Sequence, residues 1–326
     1  MTRVTQKAIN RTYLSGYNKN LSAYNTSINK MNTGRSFLKV SENVSGAART
    51  YKVRKALSRD EQYIENIEDL SDRIESAEDG LRDINEYIQT VQERLVQAQG
   101  TASEEEYKVL AREIDDLVNN CMQAINNSNT GVYVFATNVN EPPFTLSEKG
   151  ELFFRDGTNV NEITDRLDHE TDVYADIGAG MTFEGDELNT ASVTANSVSA
   201  LECLGYGTTN VDGTTYSNNV ISLLQQVADT IRTGDREAMG KIEGFLDKRY
   251  KDFVVNLTNV GNTSKFLDDC KSRIENEVAA LTERQNDLEA VDYAEEAIVS
   301  QTYYMAYQIS IQMGSKILPK SIFSFI

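Results

Sequence analysis

The chain has 326 residues, enough for two or three domains with cores of their own, and it carries 50 Asp and Glu against 32 Lys and Arg, a formal net charge of −18. A field of that sign repels nucleic acid and anionic membrane surfaces, so neither is expected as a partner. The three cysteines (Cys121, Cys203, Cys270) stand far apart without C-x-x-C spacing, which offers neither a disulfide framework nor a zinc site.

The charge is uneven. Residues 1–41 hold seven Lys and Arg and no acid, and beyond Glu296 the only charges are Lys316 and Lys320. Two basic ends therefore flank an acidic middle. No run of 18 apolar residues occurs, so no membrane-spanning helix is expected. The basic N-terminus lacks the continuous apolar stretch of a cleaved secretory signal. Proline occurs only at 142, 143 and 319, and nine of the 19 glycines fall between Gly131 and Gly213. Long helices are thus permitted on both sides of an irregular, strand-rich centre.

In chain order, Leu14, Tyr17, Leu21, Tyr24, Ile28 and Met31 recur at helical spacing as far as Thr33-Gly34. Next, Ile67, Ile74, Leu81, Ile88 and Leu95 repeat every seven residues, with Leu70, Ala77, Ile84, Val91 and Ala98 at the companion positions. That is a sustained heptad pattern, which places one apolar seam along a helix. Gly100 ends the run. Ser103 and Glu106 have the form of a capping box that restarts a helix, with Tyr107, Leu110, Ile114, Leu117, Cys121 and Ala124 on its seam.

The centre, 131–216, reads as short strands: Val132–Phe135 and Leu152–Phe154 are β-branched and aromatic, and Asp156-Gly157 and Asp212-Gly213 are turn dipeptides. Val220, Ile221, Leu224, Val227, Ala228 and Ile231 then make a short amphipathic helix closed by Thr233-Gly234-Asp235. Met239, Leu246, Phe253, Val260, Leu267, Ile274, Leu281 and Leu288 again recur every seven residues. Gly240, Gly244 and Gly261 lie inside this stretch at about 1 kcal/mol each relative to Ala, and any local bend or break is expected near Gly261. Finally Ile298, Met305, Ile309 and Met313 stand among Tyr303, Tyr304 and Tyr307, followed by Ile322-Phe323-Ser324-Phe325-Ile326.

These patterns predict a mainly α fold: a long antiparallel coiled-coil helical rod built from both chain halves, with a small β-rich domain inserted in the middle. The expected rod is 46–130 with 217–295, its core made of Ile67, Ile74, Leu81, Ile88 and Leu95 facing Phe253, Val260, Leu267, Ile274, Leu281 and Leu288. The outer domain is 131–216. The terminal helices, 1–45 and 296–326, differ from the rod. Ordering each residue costs about 1–2 kcal/mol, while each buried apolar side chain returns about 1.5–3 kcal/mol. Over about 30 residues with some ten such side chains the return at best cancels the cost and otherwise falls short of it, so these ends are expected to fold only when neighbours cover them. The candidates for that intermolecular surface are Leu14, Tyr17, Leu21, Tyr24, Ile28, Met31, Met305, Tyr307, Ile309, Met313, Ile322, Phe323 and Phe325.

Catalysis finds little support. The single histidine, His169, lies in the polar run Asp168-His169-Glu170 and reads as a solvated surface residue. Acid pairs such as Asp115-Asp116 and Glu104-Glu105-Glu106 suit the polar face of a helix. Gly185-Asp186-Glu187 lacks the alternating oxygen ligands of a calcium loop. No catalytic residue, metal or cofactor is expected. The rival reading is an extracellular enzyme or adhesin whose active domain is 131–216; that segment lacks convergent catalytic side chains.

Several segments resemble the flagellin superfamily, over about 1–145 and 235–326. They are Arg3-Val4-Thr5, the turn Asn32-Thr33-Gly34-Arg35, Ser41-Glu42-Asn43-Val44-Ser45-Gly46-Ala47, Glu61-Gln62-Tyr63 with Asn66, Glu75 through Gly80-Leu81, and Ala98 through Glu104. Asn129-Thr130-Gly131-Val132-Tyr133-Val134-Phe135 with Pro142-Pro143-Phe144, and Pro319-Lys320-Ser321-Ile322-Phe323-Ser324-Phe325-Ile326, resemble the family's hook-associated branch in particular. Val40 and Val44 stand where that family has prolines, Glu42-Asn43 replaces its Asp pair, and Ala136-Thr137 replaces Gly-Gly. The resemblance implies a secreted structural subunit of the bacterial flagellum, exported by the flagellar type III route without a cleaved signal peptide. It would form a ring-like layer with copies of itself between hook-associated protein 1 and the first flagellin subunits, after release from an export chaperone on its C-terminal helix. A divergent filament flagellin is the alternative within the family.

Overall fold

The computed structural model describes residues 6–100, 103–129, 131–136, 141–147, 150–185, 187–189, 193–211 and 213–317. Among them are seven helices: α1 Gln6–Thr33, α2 Val44–Gln99, α3 Glu104–Ile125, α4 Ala200–Leu204, α5 Val220–Thr233, α6 Arg236–Glu289 and α7 Tyr293–Ile317. The chain divides into two compact units, one of residues 61–275 and one of 1–60 with 276–326.

In the unit of 61–275 the heptad side chains do what their spacing requires. Ile67, Leu70, Ile74, Ala77, Leu81, Ile84, Ile88, Val91, Leu95 and Ala98 are all buried on α2, as are Met239, Leu246, Phe253, Val260, Leu267 and Ile274 on α6. The polar contacts flanking this seam show that the two helices run antiparallel. Glu68 meets Lys271 at 2.8 Å, Gln89 meets Tyr250 at 2.8 Å, and Gln92 meets Asp247 at 2.7 Å. Each step up α2 is matched by an equal step down α6.

No break occurs near Gly261; α6 is one helix from Arg236 to Glu289. A Cβ at Gly261 would lie 3.1 Å from Glu78 Oε1 on α2. The glycine therefore gives an acidic side chain of the facing helix room, at the expense of helix propensity, and packing along the seam keeps the helix whole.

α3 opens with the capping box. Ser103 Oγ accepts from the Glu106 backbone N–H, and the Glu106 carboxylate accepts from the Ser103 N–H at 2.6 Å. These backbone and side-chain hydrogen bonds hold Glu106 below the usual carboxylate range. α3 packs along α5, and its inner face differs slightly from the sequence reading. Ala111, Val118 and Ile125 are buried with Tyr107, Leu110, Ile114 and Cys121, whereas Leu117 and Ala124 are half-buried. α5 is capped at its start by Asn219, and it ends on Gly234 in the left-handed region (φ 69°), a conformation that favours glycine.

The centre is more loop than sheet. Among the described residues its strands form only two-stranded antiparallel pairs. These are β1 Ser128–Asn129 with β2 Val132–Tyr133, β3 Phe144–Leu146 with β4 Leu152–Phe154, β5 Tyr174–Ala175 with β8 Thr194–Ala195, β6 Phe183–Glu184 with β7 Glu187–Leu188, and β9 Thr208–Val211 with β10 Thr214–Ser217. Asp212 of the second turn dipeptide lies outside the described residues. Isolated pairs this short are marginal in water, and here they borrow cover from helices. Tyr216 of β10 stacks on Phe245 of α6 with centroids 5.1 Å apart. Phe135 is buried beside Gly80 of α2, where a Cβ would sit 3.2 Å from the Ala124 carbonyl and 3.5 Å from the Phe135 ring. Phe144 and Phe154 meet edge to face at 5.7 Å, and the Asn126 amide bonds the Phe144 carbonyl and N–H at 2.8 and 3.2 Å.

In the other unit, Asn43 caps α2 by accepting from the Gly46 N–H at 2.8 Å. The turn after α1 runs through Gly34 at φ 68°. Its carbonyl accepts from the Val291 N–H at 2.9 Å, and the Ser36 N–H donates to the Glu289 carbonyl at 2.7 Å. The buried Glu289 carboxylate is held by both arms of the Arg54 guanidinium, at 2.7 and 2.5 Å. Leu281 and Leu288 are half-buried in this unit.

Candidate assembly surface

α1 and α7 pack against each other in antiparallel fashion, and much of their shared seam is aromatic and polar. Tyr13 Oη donates to the Ser310 carbonyl at 3.0 Å and Asn20 donates to Ser310 Oγ at 2.7 Å. Further along, Tyr17 lies 5.7 Å from Tyr307, and Tyr24 lies 5.4 Å from Tyr304 and stacks on Tyr307 at 6.3 Å. The hydrogen bond with Tyr17 holds the Tyr307 hydroxyl above its ordinary range. Gly314 admits Tyr13: a Cβ there would lie within bonding distance of its hydroxyl.

The candidates named from the sequence separate into three groups. Tyr17, Leu21, Tyr24, Ile28, Met31 and Tyr307 are half-buried. Leu14, Met305, Ile309 and Met313 are about half exposed, at 50%, 49%, 56% and 51%. Ile322, Phe323 and Phe325 lie outside the described residues. Ile298, 71% exposed, joins the second group. Ile298, Met305 and Ile309 share one stripe by helical periodicity, and about two and a half turns separate Ile298 from Tyr307, so this stripe faces away from the tyrosine seam. α7 is therefore apolar on two opposite sides, of which α1 covers one. A helix apolar on both sides is ordinarily covered on both, and a contiguous exposed apolar surface marks an interaction site.

Sequence reasoning missed Tyr13, Asn20, Ser310 and Gly314, because polar and small residues do not register in an apolar period. A usable signal was present in Tyr13 and Asn20 flanking Tyr17 at helical spacing.

Elsewhere, among the described residues of the centre, the ionisable side chains are engaged with one another. His169 is half-buried rather than solvated, with Nδ1 2.5 Å from Asp156; the turn at Asp156-Gly157 folds back beside it. Burial would raise Asp156, but the hydrogen bonds from His169 and Thr158 outweigh it and leave that carboxyl below its usual range. Burial raises Glu170, against the hydrogen bond from Ser199 and the nearby Arg155 and Arg166. Arg166 in turn grips Asp172 at 2.6 and 3.2 Å. The Ser199 hydroxyl is committed to Glu170 and to capping α4, not to the imidazole. Cys121 and Cys203 are buried, and burial pushes both thiols up to about 12, far from nucleophilic thiolates. Among the described residues no group of three or more His, Cys, Asp or Glu side chains could hold a metal ion, and no helix is long and apolar enough to cross a membrane.

The bacterial flagellin N-terminal helical region matches residues 4–138. No curated protein sequence matches the chain. Solved structures do. A protein of Vibrio parahaemolyticus described as flagellar hook-associated superposes with a TM-score of 0.58 at 12% identity, over 76% of this chain and 100% of that one. Flagellar hook associated protein-3 of Legionella pneumophila gives 0.56 at 10% identity, over 73% and 98%. FlgL of Xanthomonas campestris gives 0.53 at 13%, over 72% and 99%. At such identities the likeness is one of fold. The chain thus has the fold of these hook-associated proteins, and its residues 4–138 are similar to the flagellin N-terminal helical region.

Proposed function

We propose that this chain is the junction subunit of the flagellum, the part played by hook-associated protein 3, seated between hook-associated protein 1 and the first flagellin subunits. The observation that carries the reading is the second apolar side of α7, Ile298, Met305 and Ile309, left open beside a basic α1. In a ring-like layer of copies this stripe gains the cover that one subunit does not give it, and the terminal helices gain stability as they join. The same surface requires protection before assembly, which is the task of an export chaperone on the C-terminal helix during passage through the type III route. Nothing in this role calls for catalysis.

Immunogold labelling of isolated flagella tests the reading: label confined to the joint between hook and filament is expected, and label along the shaft overturns it. Deleting 313–326 is expected to leave a soluble monomer that cannot join the structure; a deletion strain with normal filaments also overturns it. A divergent filament flagellin is the second reading, favoured by the flagellin match over 4–138, and long filaments formed by the purified chain alone would establish it.

A further inference from the structure

In the unit of 61–275 a slot opens between α6 and the chain around β8. That chain is tied to the long helices on either side of the slot. At one end, just past β5, the Asn66 amide of α2 donates to the Asp176 carbonyl at 2.9 Å, and Arg273 of α6 reaches the Gly178 carbonyl at 3.5 Å. At the other end the Asn256 amide of α6 donates to the Glu202 carbonyl of α4 at 2.8 Å. Between these ties lies a cavity of about 450 Å³. Its walls are β8 with the turn after it and, opposite, Asn259, Asn262 and Phe266 of α6; the buried Ile74 and Val260 close it below. Glu202 is the only charged side chain among the described residues that line it.

Both walls offer hydrogen bonds of the kind a backbone makes. Among the described residues β8 pairs on one edge only, with β5. Thr194 stands opposite Ala175, and the Asn196 N–H donates to the Val173 carbonyl at 2.7 Å. In an antiparallel ladder the residue between two such positions turns its N–H and C=O to the other edge, so those of Ala195 face away from β5. On the α6 side Asn259 and Asn262 present exposed amides, and Phe266 is 46% exposed. An asparagine amide matches a peptide group as donor and as acceptor at once. The molecule already uses that match, where Asn126 bonds both the carbonyl and the N–H of Phe144 in β3.

We propose that the slot binds an extended, acid-free peptide segment of a partner protein, laid along the open edge of β8 and held from the far side by Asn259 and Asn262. An open strand edge is a template for such addition, with main-chain bonds supplying affinity and side-chain pockets supplying selectivity. From Asn256 to Phe266 the α6 wall rises about 15 Å, the length of four or five extended residues. The volume lies within the range of about 300–1,000 Å³ usual for binding pockets. Alternate side chains of the segment turn down onto Ile74 and Val260, Phe266 covers an apolar one at its end of the slot, and Glu202 repels an acid and favours a base at the other. The proposal does not rest on the junction reading.

The test uses the purified full-length chain and a blocked, fluorescently labelled hexapeptide, Thr-Val-Thr-Val-Thr-Lys. Anisotropy reads binding, and amide hydrogen exchange reads position. Saturable binding is expected, with the Ala195 amide exchanging about tenfold more slowly in the complex, as an amide newly bonded in a ladder does. The same peptide N-methylated throughout cannot donate to either wall and is expected to bind at least about tenfold more weakly. Asn259→Ala with Asn262→Ala, at exposed positions where alanine favours the helix, is expected to weaken binding of the unmodified peptide by about tenfold without lowering Tm. Absence of saturable binding overturns the proposal, as does binding that N-methylation or the double variant leaves unchanged. Binding without protection of Ala195 places the peptide elsewhere and overturns it too. Maltohexaose that binds the wild type but not the double variant, where the peptide does not bind, makes the slot a saccharide site. Dimers in sedimentation that the double variant loses assign it to a second copy; either result overturns the peptide reading. None of these outcomes bears on where the chain sits in the flagellum, which the labelling experiment decides independently.

Discussion

The α2–α6 seam is mainly aliphatic and the α1–α7 seam largely aromatic and polar, and the two helix pairs differ further in how much of their apolar surface is covered. On α2, Ile67, Leu81, Ile84, Ile88 and Leu95 are completely buried, because α6 and the packed elements of the centre close over them. On α7, one side meets the tyrosines of α1 and the other carries Ile298, Met305 and Ile309 into the open. An apolar stripe thus identifies a surface to be covered, and the number of elements in the same chain able to cover it decides whether that surface is core or interface.

If that contrast holds, its largest effect is inside the unit of 61–275. Ile88→Ala deletes atoms from a fully buried position, and the expected destabilisation is about 2–5 kcal/mol, part lost transfer energy and part residual cavity. Urea unfolding measures it. A loss below 1 kcal/mol would mean that the seam can collapse around the gap, and the distinction between sealed and open seams would weaken.

Gly80→Val probes the same seam from the opposite direction. A side chain there has the Ala124 carbonyl 3.2 Å and the Phe135 ring 3.5 Å from its Cβ, and overpacking of this kind costs about 1–3 kcal/mol. The expected loss appears in thermal unfolding although valine exceeds glycine in helix propensity. A neutral or stabilised variant would show that the centre does not press on α2 at this point.

The sequence discloses the first seam more fully than the second, for a physical reason. Seven-residue spacing survives in any helix whose partner is another long helix, so Ile67 through Leu95 and Met239 through Ile274 were readable without coordinates. Gly80 and Gly261 were not. Each accommodates one particular neighbour, Phe135 or Glu78, and a linear pattern contains no information about neighbours distant in the chain. The helix runs unbroken through Gly261 on that account, since helix propensity alone contains nothing about Glu78. In the centre, Leu152–Phe154 and the turn at Gly157 were legible because strand and turn chemistry is local. The pairing of β5 with β8, by contrast, joins Tyr174 to Ala195 across twenty residues that advertise nothing. Of the assembly surface, the apolar members of α1 and α7 were legible, while their division between inner seam and outer stripe required the partner helix.

Smaller effects come from caps and buried charge. Ser103→Ala removes the acceptor for the Glu106 N–H and half of the capping box, at about 1 kcal/mol. At Glu170 the effect is one of direction. Burial holds its folded pKa above the ordinary value, so the unfolded chain gives up this proton more readily, and stability falls as pH rises from the ordinary carboxylate range through the raised one. Glu170→Gln cannot ionise and is expected to flatten that part of the Tm–pH profile while Arg166 stays paired with Asp172. An unchanged slope between pH 4 and 8 would show that Glu170 is not the group responsible.

The smallest expected effect on stability is the most informative about function. Met305→Ser and Ile309→Ser fall on the open stripe, where substitutions usually change monomer stability by no more than about 0.5 kcal/mol. If the stripe is completed by neighbours, the same double variant unfolds like the wild type in urea yet fails to join the flagellum, as read by sedimentation of assembled structures and by motility in a complemented strain. If instead the stripe is covered within the chain, the variant loses monomer stability in step with the buried positions of α2, and the difference between the two seams disappears. Normal assembly with normal stability would leave Ile298, Met305 and Ile309 exposed in the finished structure, and the stripe would then not be the surface on which subunits meet.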